Sequence, residues 1–167
     1  MDQVKKLIEK LNLVPHPEGG YYKETYRSFG MIDESSLASS YSGKRNYSTC
    51  IYFLLTSEMF SAFHKIQQDE IWHFYSGSPI VIHMISDDGI YSKALIGNNF
   101  AEDQIPQFVV KGGCWFASEV VNNGNYGLVG CTVSPGFDFE DFELPSRNDL
   151  ANRFPQLREI ITRLTNN

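Results

Sequence analysis

The chain has 167 residues, 42% of them hydrophobic and 20% charged, and a formal net charge of −6. This size and balance fit one globular domain, residues 1–167. An acidic chain with no block of Lys or Arg lacks the basic face that nucleic acid or an anionic membrane demands, and no apolar run reaches the roughly 18 residues that cross a bilayer.

The N-terminus, Met1-Asp2-Gln3-Val4-Lys5-Lys6, has no apolar signal core, so a cytoplasmic location is expected. Val4, Leu7, Ile8 and Leu11 fall at helical spacing and predict an amphipathic helix over residues 2–12. Pro15-His16-Pro17-Glu18-Gly19-Gly20 breaks it and reads as a tight turn or as a flap over a binding site. Tyr21 to Ser28 alternates as a strand, with Tyr22, Glu24 and Tyr26 on one face and Lys23, Thr25 and Arg27 on the other. The Ser- and Gly-rich segment Gly30 to Arg45 reads as a mobile surface loop.

From Asn46 to Pro135 short runs rich in β-branched and aromatic residues follow one another. Thr49–Leu55, Ile80–Ile85, Cys114–Val120 and Tyr126–Val133 are examples. Turn signals separate the runs at Ser76-Gly77-Ser78-Pro79, Asp87-Asp88-Gly89, Gly97-Asn98-Asn99, Lys111-Gly112-Gly113 and Asn122-Asn123-Gly124-Asn125. Such spacing predicts an all-β sandwich or barrel over residues 20–145. The alternating run Gly136 to Glu143 reads as a strand end with one solvated acidic face. Ser146, with Asp149 three residues on, starts a helical segment over 147–164, which Pro155 kinks or divides in two. Cys50, Cys114 and Cys131 lie in apolar runs without paired spacing and read as free thiols. Phosphate-loop, dinucleotide, zinc-finger and nucleophile-elbow motifs are absent from the sequence.

The most informative stretch runs from Phe60 to Gly77. It places His64 six residues before Glu70, with Gly77 closing the unit, as a strand, a polar bend, a second strand and a turn. This resembles the first signature of the cupin superfamily. Leu13 to Tyr22, Glu70 to Tyr75, Gly113 to Ala117 and Gly130 to Phe137 are similar to a branch of small cupins of unknown function. The resemblance implies an all-β double-stranded β-helix, a cupin jelly-roll barrel like that of sugar-nucleotide epimerases, with short N- and C-terminal helices. It also implies a homodimer, in which outward Tyr75 and Phe63 would find cover.

The signature's second histidine falls on Ile66, and the histidine of the second cupin signature falls on Phe116. No cofactor is therefore expected; a divalent metal, if present, would rest on His64 and Glu70, which hold such an ion poorly. Strand parity turns Glu70, Trp72 and Phe74 inward together with Phe60, Ala62, His64 and Ile66, and sends His73 outward. His64 and Glu70 read as a catalytic acid–base pair or as a mutually satisfied buried pair. Trp72, Phe74 and Phe116, with Tyr22 and Lys111, are the candidate ligand-binding residues. His83 reads as a core histidine bonded to a neighbour.

Three functions stay open. The first is a metal-independent isomerase or epimerase acting on a sugar or related polar metabolite, with His64 as base, Glu70 orienting it, and a tyrosine or Lys111 as proton donor. The second is a non-catalytic binder of a small polar or aromatic metabolite. The third is a metal-dependent oxygenase or isomerase with an atypical site.

Overall fold

The computed structural model describes residues 3–121 and 124–166. Helix α1 spans Gln3–Leu11 and buries Val4; Asp2, where the sequence starts it, lies outside the described residues. The helix ends at Asn12, which takes a left-handed φ of 51°, while the Leu13 amide reaches back to the Ile8 carbonyl at 3.0 Å. That closure satisfies a carbonyl that the helix leaves open.

Twelve strands follow among the described residues: β1 Val14–Pro15, β2 Tyr21–Arg27, β3 Met31–Ile32, β4 Arg45–Asn46, β5 Thr49–Thr56, β6 Phe60–His64, β7 Asp69–Gly77, β8 Ile80–Ile85, β9 Tyr91–Ile96, β10 Gln107–Val110, β11 Trp115–Val120 and β12 Tyr126–Ser134. The larger sheet has the order β1-β2-β5-β12-β7-β10 and the smaller β6-β11-β8-β9; β3 and β4 form a separate pair. All these pairings are antiparallel. The molecule is mostly β, as the resemblance implied, and its two facing sheets make a jelly roll. Helices α2 (Arg147–Arg153) and α3 (Arg158–Arg163) follow. Ser146 caps α2 by accepting the Asp149 amide at 3.1 Å. Pro155 opens a 3₁₀ turn that leads into α3, so it divides the segment in two.

Three apolar clusters hold these layers. Phe53, Leu55, Trp72, Val129 and Cys131 of the large sheet meet Ile80, Ile82, Met84, Phe116 and Val120 of the small one inside the barrel. The outer face of the small sheet offers Phe63, Ile85, Trp115 and Ala117 to Leu150, Phe154, Ile161 and Leu164. Helix α1 covers Leu54, Tyr126 and Leu128 on the large sheet. Phe63 is therefore buried under α2 and α3 and needs no second subunit to cover it.

The described strands carry three register shifts, one of them between Leu128 and Val129 of β12 where it pairs with β7, and the other two change which residues face inward at the cavity. Between Phe116 and Ser118 the β11–β6 register shifts, so Ser118 pairs with Ser61 and Glu119 with Phe60. Ser61 then turns into the barrel and Phe60 packs on the outer cluster, contrary to simple alternation. A second bulge lies between Glu24 and Tyr26 of β2. It leaves Tyr26 exposed and turns Arg27 toward the barrel mouth. The segment expected as a mobile surface loop, Gly30 to Arg45, carries β3, a 3₁₀ turn at Glu34–Ser36 and the start of β4. The segment after β12 is likewise no strand end. It forms a 3₁₀ turn, Phe139–Asp141, and buries Asp141 against Arg45.

Candidate functional site

One end of the barrel opens into a cavity of about 420 Å³. Its apolar wall comes from Tyr22, Ile51, Phe53 and Val133 on strands, Ile66 in the bend between β6 and β7, and Phe137, Phe139 and Phe142 on the segment after β12. That segment is pinned from several sides. The Gly136 amide donates to the Asn46 carbonyl at 2.7 Å and the Phe137 amide to Thr49 Oγ1 at 2.9 Å. Arg45 donates to both oxygens of Asp141 at 2.8 Å, and Gln68 Nε2 reaches Asp141 Oδ2 at 2.6 Å. The three phenylalanines are thus held over the mouth by polar contacts beneath them.

Polar groups converge at the cavity floor. His64, at the end of β6, donates from Nδ1 to the Ala62 carbonyl at 2.7 Å; a carbonyl only accepts, so the proton sits on Nδ1 and Nε2 presents a lone pair. His16 accepts the Glu18 amide on Nδ1 at 3.3 Å, so its proton is on Nε2. Glu18 Oε2 lies 3.1 Å from His64 Nε2 and 3.4 Å from His16 Nδ1. The contact between Oε2 and His64 Nε2 needs one proton, and burial, which disfavours the charged form of both groups, places it on the carboxyl. The other oxygen, Oε1, accepts from Ser61 Oγ at 2.8 Å. Burial, with the charge of Glu70 adding to it, drives the Glu18 carboxyl well above the usual carboxylate range. Burial takes His64 down to about 3 and His16 to about 4. At neutral pH these three side chains form a closed, uncharged network.

Glu70, on β7, is outside that network. It is 9% exposed and lines the cavity. Burial raises its carboxyl to about 7, against the pull of the Cys131 thiol and the Trp72 indole. Neither Lys nor Arg pairs with it among the described residues. Glu70 is the carboxyl of this floor that exchanges its proton near neutral pH.

The sequence-derived candidates divide. His64, Glu70 and Tyr22 line the cavity. His64 takes its carboxyl partner from Glu18, however, and not from Glu70. Trp72 and Phe116 are fully buried barrel core behind the cavity, where Phe116 packs its ring 4.1 Å from that of His64. Phe74 opens on a different hollow, with Ser76, Pro79 and Asn99. Lys111 is a surface residue paired with Asp69 at 2.8 Å, away from the cavity. His83 is bonded on both sides, to Tyr91 at 2.8 Å and Glu119 at 3.0 Å. Glu18 and Phe139 were not singled out from the sequence as site residues. The Pro-His-Pro-Glu-Gly-Gly run was the signal available: Gly19 takes a φ of 112°, and a Cβ there would meet the Phe60 carbonyl at 2.1 Å. Only glycine lets that turn lie against β6 and bring Glu18 to His64.

The metal that the barrel type implies does not fit these residues. Ile66 and Phe116 stand where ligands would be, Glu18 is held as an acid, and among the described residues no group of three or more His, Cys, Asp or Glu is arranged to hold an ion.

The family described as "Cupin superfamily (DUF985)" matches residues 5–145. The chain belongs to the cupin superfamily. A 33% identical relative, an uncharacterized protein of Saccharomyces cerevisiae, aligns over 83% of this chain and 73% of its own length. Two solved structures are similar throughout. A hypothetical protein from Leishmania major has 35% identity and a TM-score of 0.90, covering 99% of this chain and 100% of its own. A protein from Shewanella oneidensis has 38% identity and a TM-score of 0.89, covering 99% of each. An oxalate decarboxylase variant from Bacillus subtilis, at 14% identity and a TM-score of 0.54, covers 90% of this cupin and 36% of its own chain. It shares the fold alone. Among the described residues of this cupin no helix is long and apolar enough to cross a membrane.

Proposed function

We propose that this cupin is a metal-independent isomerase or epimerase that moves a proton on a small polar metabolite, with Glu70 as the group that takes and returns it. The observation that carries this reading is a carboxyl that lines the cavity, is raised by burial to about 7 and pairs with no Lys or Arg among the described residues. His64 does not serve as the base, because both of its ring nitrogens are occupied by Ala62 and Glu18. Its role is to hold Glu18 protonated and fix the floor. The reaction that fits is abstraction of a C–H proton beside a carbonyl. Glu70 takes the proton, an enediol forms, and the proton returns to the neighbouring carbon or the opposite face. His16 Nε2–H and the Tyr22 hydroxyl, both at the cavity, are the donors available to the carbonyl oxygen.

Deuterium exchange tests this without knowledge of the natural substrate. Chelator-treated protein is incubated in heavy water with a panel of ketoses, aldoses and amino sugars, and exchange is read by NMR. Exchange that E70Q abolishes and Lys111→Ala leaves intact is the expected result. Exchange that survives E70Q sinks the assignment, and absence of exchange across the panel sinks the isomerase reading.

A non-catalytic ligand-binding role is the second reading, favoured by the ring of Tyr22, Phe53, Phe137, Phe139 and Phe142 around the cavity. Native mass spectrometry separates the two: a bound metabolite recovered chemically unchanged supports the binder. We also propose that two copies of the chain pair as a homodimer. The support is apolar surface that one copy leaves open, at Tyr26, Phe29, Met31, Tyr47 and Tyr75.

A further inference from the structure

The charges of this cavity are lopsided. Its lining holds Glu18, Glu24, Glu70 and Asp138 against a single basic side chain, Arg27. Glu18 is neutral by the geometry of its network. Arg27 is already spent: it donates to Glu24 at 3.0 and 2.7 Å and twice to the Phe137 carbonyl at 3.1 Å. Asp138 uses one oxygen to accept the Glu140 amide at 2.9 Å and faces no cation within ion-pair distance. Glu70 is buried in the floor and pairs with no Lys or Arg among the described residues. An anionic ligand, such as a phosphate or sugar nucleotide, would meet at the floor a carboxyl with no cation paired to it among the described residues.

A second observation is independent of charge. The walls around these acids are aromatic: Tyr22, Phe53, Phe137, Phe139 and Phe142. Ring faces attract cations, and rings set around a carboxyl are the environment in which an ammonium is stabilised without water. A carboxyl buried alone is costly, and an ammonium beside it removes that cost.

We infer that the cavity takes a small metabolite bearing a protonated amine, its ammonium lodged against Glu70 within the aromatic wall and drawn in past Asp138. This deepens the acid–base reading of the same cavity by naming a substrate class, and it rests on that reading only for the chemistry that follows binding. Binding couples to pH through Glu70. The titratable groups around it are Glu18 and His16 from the turn after β1, His64 from β6, Cys131 from β12, Glu24 and Arg27 from β2, and Asp138 from the segment after β12. His16 and His64 titrate well below neutrality and the Cys131 thiol is driven well above its usual range, while burial holds Glu70 at about 7.

A trio of isosteric probes tests the inference on the intact protein: 3,3-dimethylbutylammonium, 3,3-dimethylbutan-1-ol and 3,3-dimethylbutanoate, titrated calorimetrically. The ammonium is expected to bind about tenfold or more tighter than the alcohol, and the carboxylate not measurably. Between pH 6 and 8 ammonium affinity rises and a proton is released to the buffer, read from runs in buffers of different ionisation enthalpy. E70Q, whose fold is checked by circular dichroism, loses about tenfold for the ammonium and nothing for the alcohol. Asp138→Asn, at the mouth, loses less and removes part of the salt dependence. The inference is overturned if the alcohol binds as tightly as the ammonium, if the carboxylate binds best, if no probe binds, or if both variants leave ammonium affinity unchanged. Deuterium exchange on uncharged ketoses without any ammonium preference overturns this inference alone. Ammonium preference without deuterium exchange upholds it and overturns the isomerase reading.

Discussion

Glu18 and Glu70 differ in what lies beside them, and that difference sets their chemistry. Glu18 has the His64 Nε2 lone pair beside one oxygen and a hydroxyl donor on the other, so it is a satisfied acid. Glu70 is buried with only the Cys131 thiol and the Trp72 indole to set against that burial, and its folded-state pKa of about 7 lies above the roughly 4.3 of a free glutamate. A raised pKa means that the native state binds more protons than the unfolded chain between those two values. Stability from this group is therefore present below about pH 4.3 and lost as pH rises through 7. E70Q lacks the titration. From pH 4.5 to pH 8 the wild type should lose on the order of 3 kcal/mol of unfolding free energy relative to E70Q. Urea denaturation of both proteins at the two pH values measures it, and parallel pH profiles would refute the assignment. His16 and His64, with depressed values, act in the opposite sense: their contribution is present above about pH 6.5 and lost as pH falls through about 4 and 3. That limb is common to both proteins and cancels in the difference.

The elements that shape the cavity are held by different forces on its two sides. Strands β5, β6, β7 and β12 belong to the barrel and its apolar core. The segment carrying Phe137, Phe139 and Phe142 hangs on polar contacts, chiefly the buried pair of Arg45 and Asp141, which are 3% and 1% exposed in their side chains. Removing one member of such a pair strands the other's charge. Asp141→Ala should cost about 3 kcal/mol or more and open the cavity mouth, whereas replacing both residues by apolar ones of similar volume should cost much less. Equal unfolding midpoints for wild type and Asp141→Ala would show that the pair does not anchor the segment. The sequence suggested a solvated acidic strand end here because Asp138, Glu140, Asp141 and Glu143 alternate with phenylalanines. Its partner, Arg45, lies 96 residues earlier, and no local pattern reports such a contact.

As a whole molecule the chain leaves a strip of apolar surface uncovered. Phe29 is fully exposed, and Tyr26, Met31 and Tyr47 lie exposed around it near the β3–β4 pair. A homodimer burying this strip should sediment at twice the monomer mass at micromolar concentration, and Phe29→Ser with Tyr47→Ser should shift it to monomer without lowering helix or strand content. A wild type that stays monomeric at those concentrations would dispose of the pairing.

The all-β class, most strand positions, the Ser146 cap, the division at Pro155 and the presence of His64 and Glu70 in one region were legible in the sequence. Hydrophobic period, turn residues and capping residues are local, and local chemistry determines local structure. The tertiary structure alone decided which acid serves His64, that Trp72 and Phe116 are core while Phe137, Phe139 and Phe142 line the cavity, and that Lys111 lies outside it. The inward face at the cavity is set in part by strand bulges, and its floor and mouth by contacts between residues 18 and 64 and between 45 and 141. A bulge adds one residue to a period of two, and long-range pairing is fixed only when the barrel closes, so neither is written in the residues on either side of it.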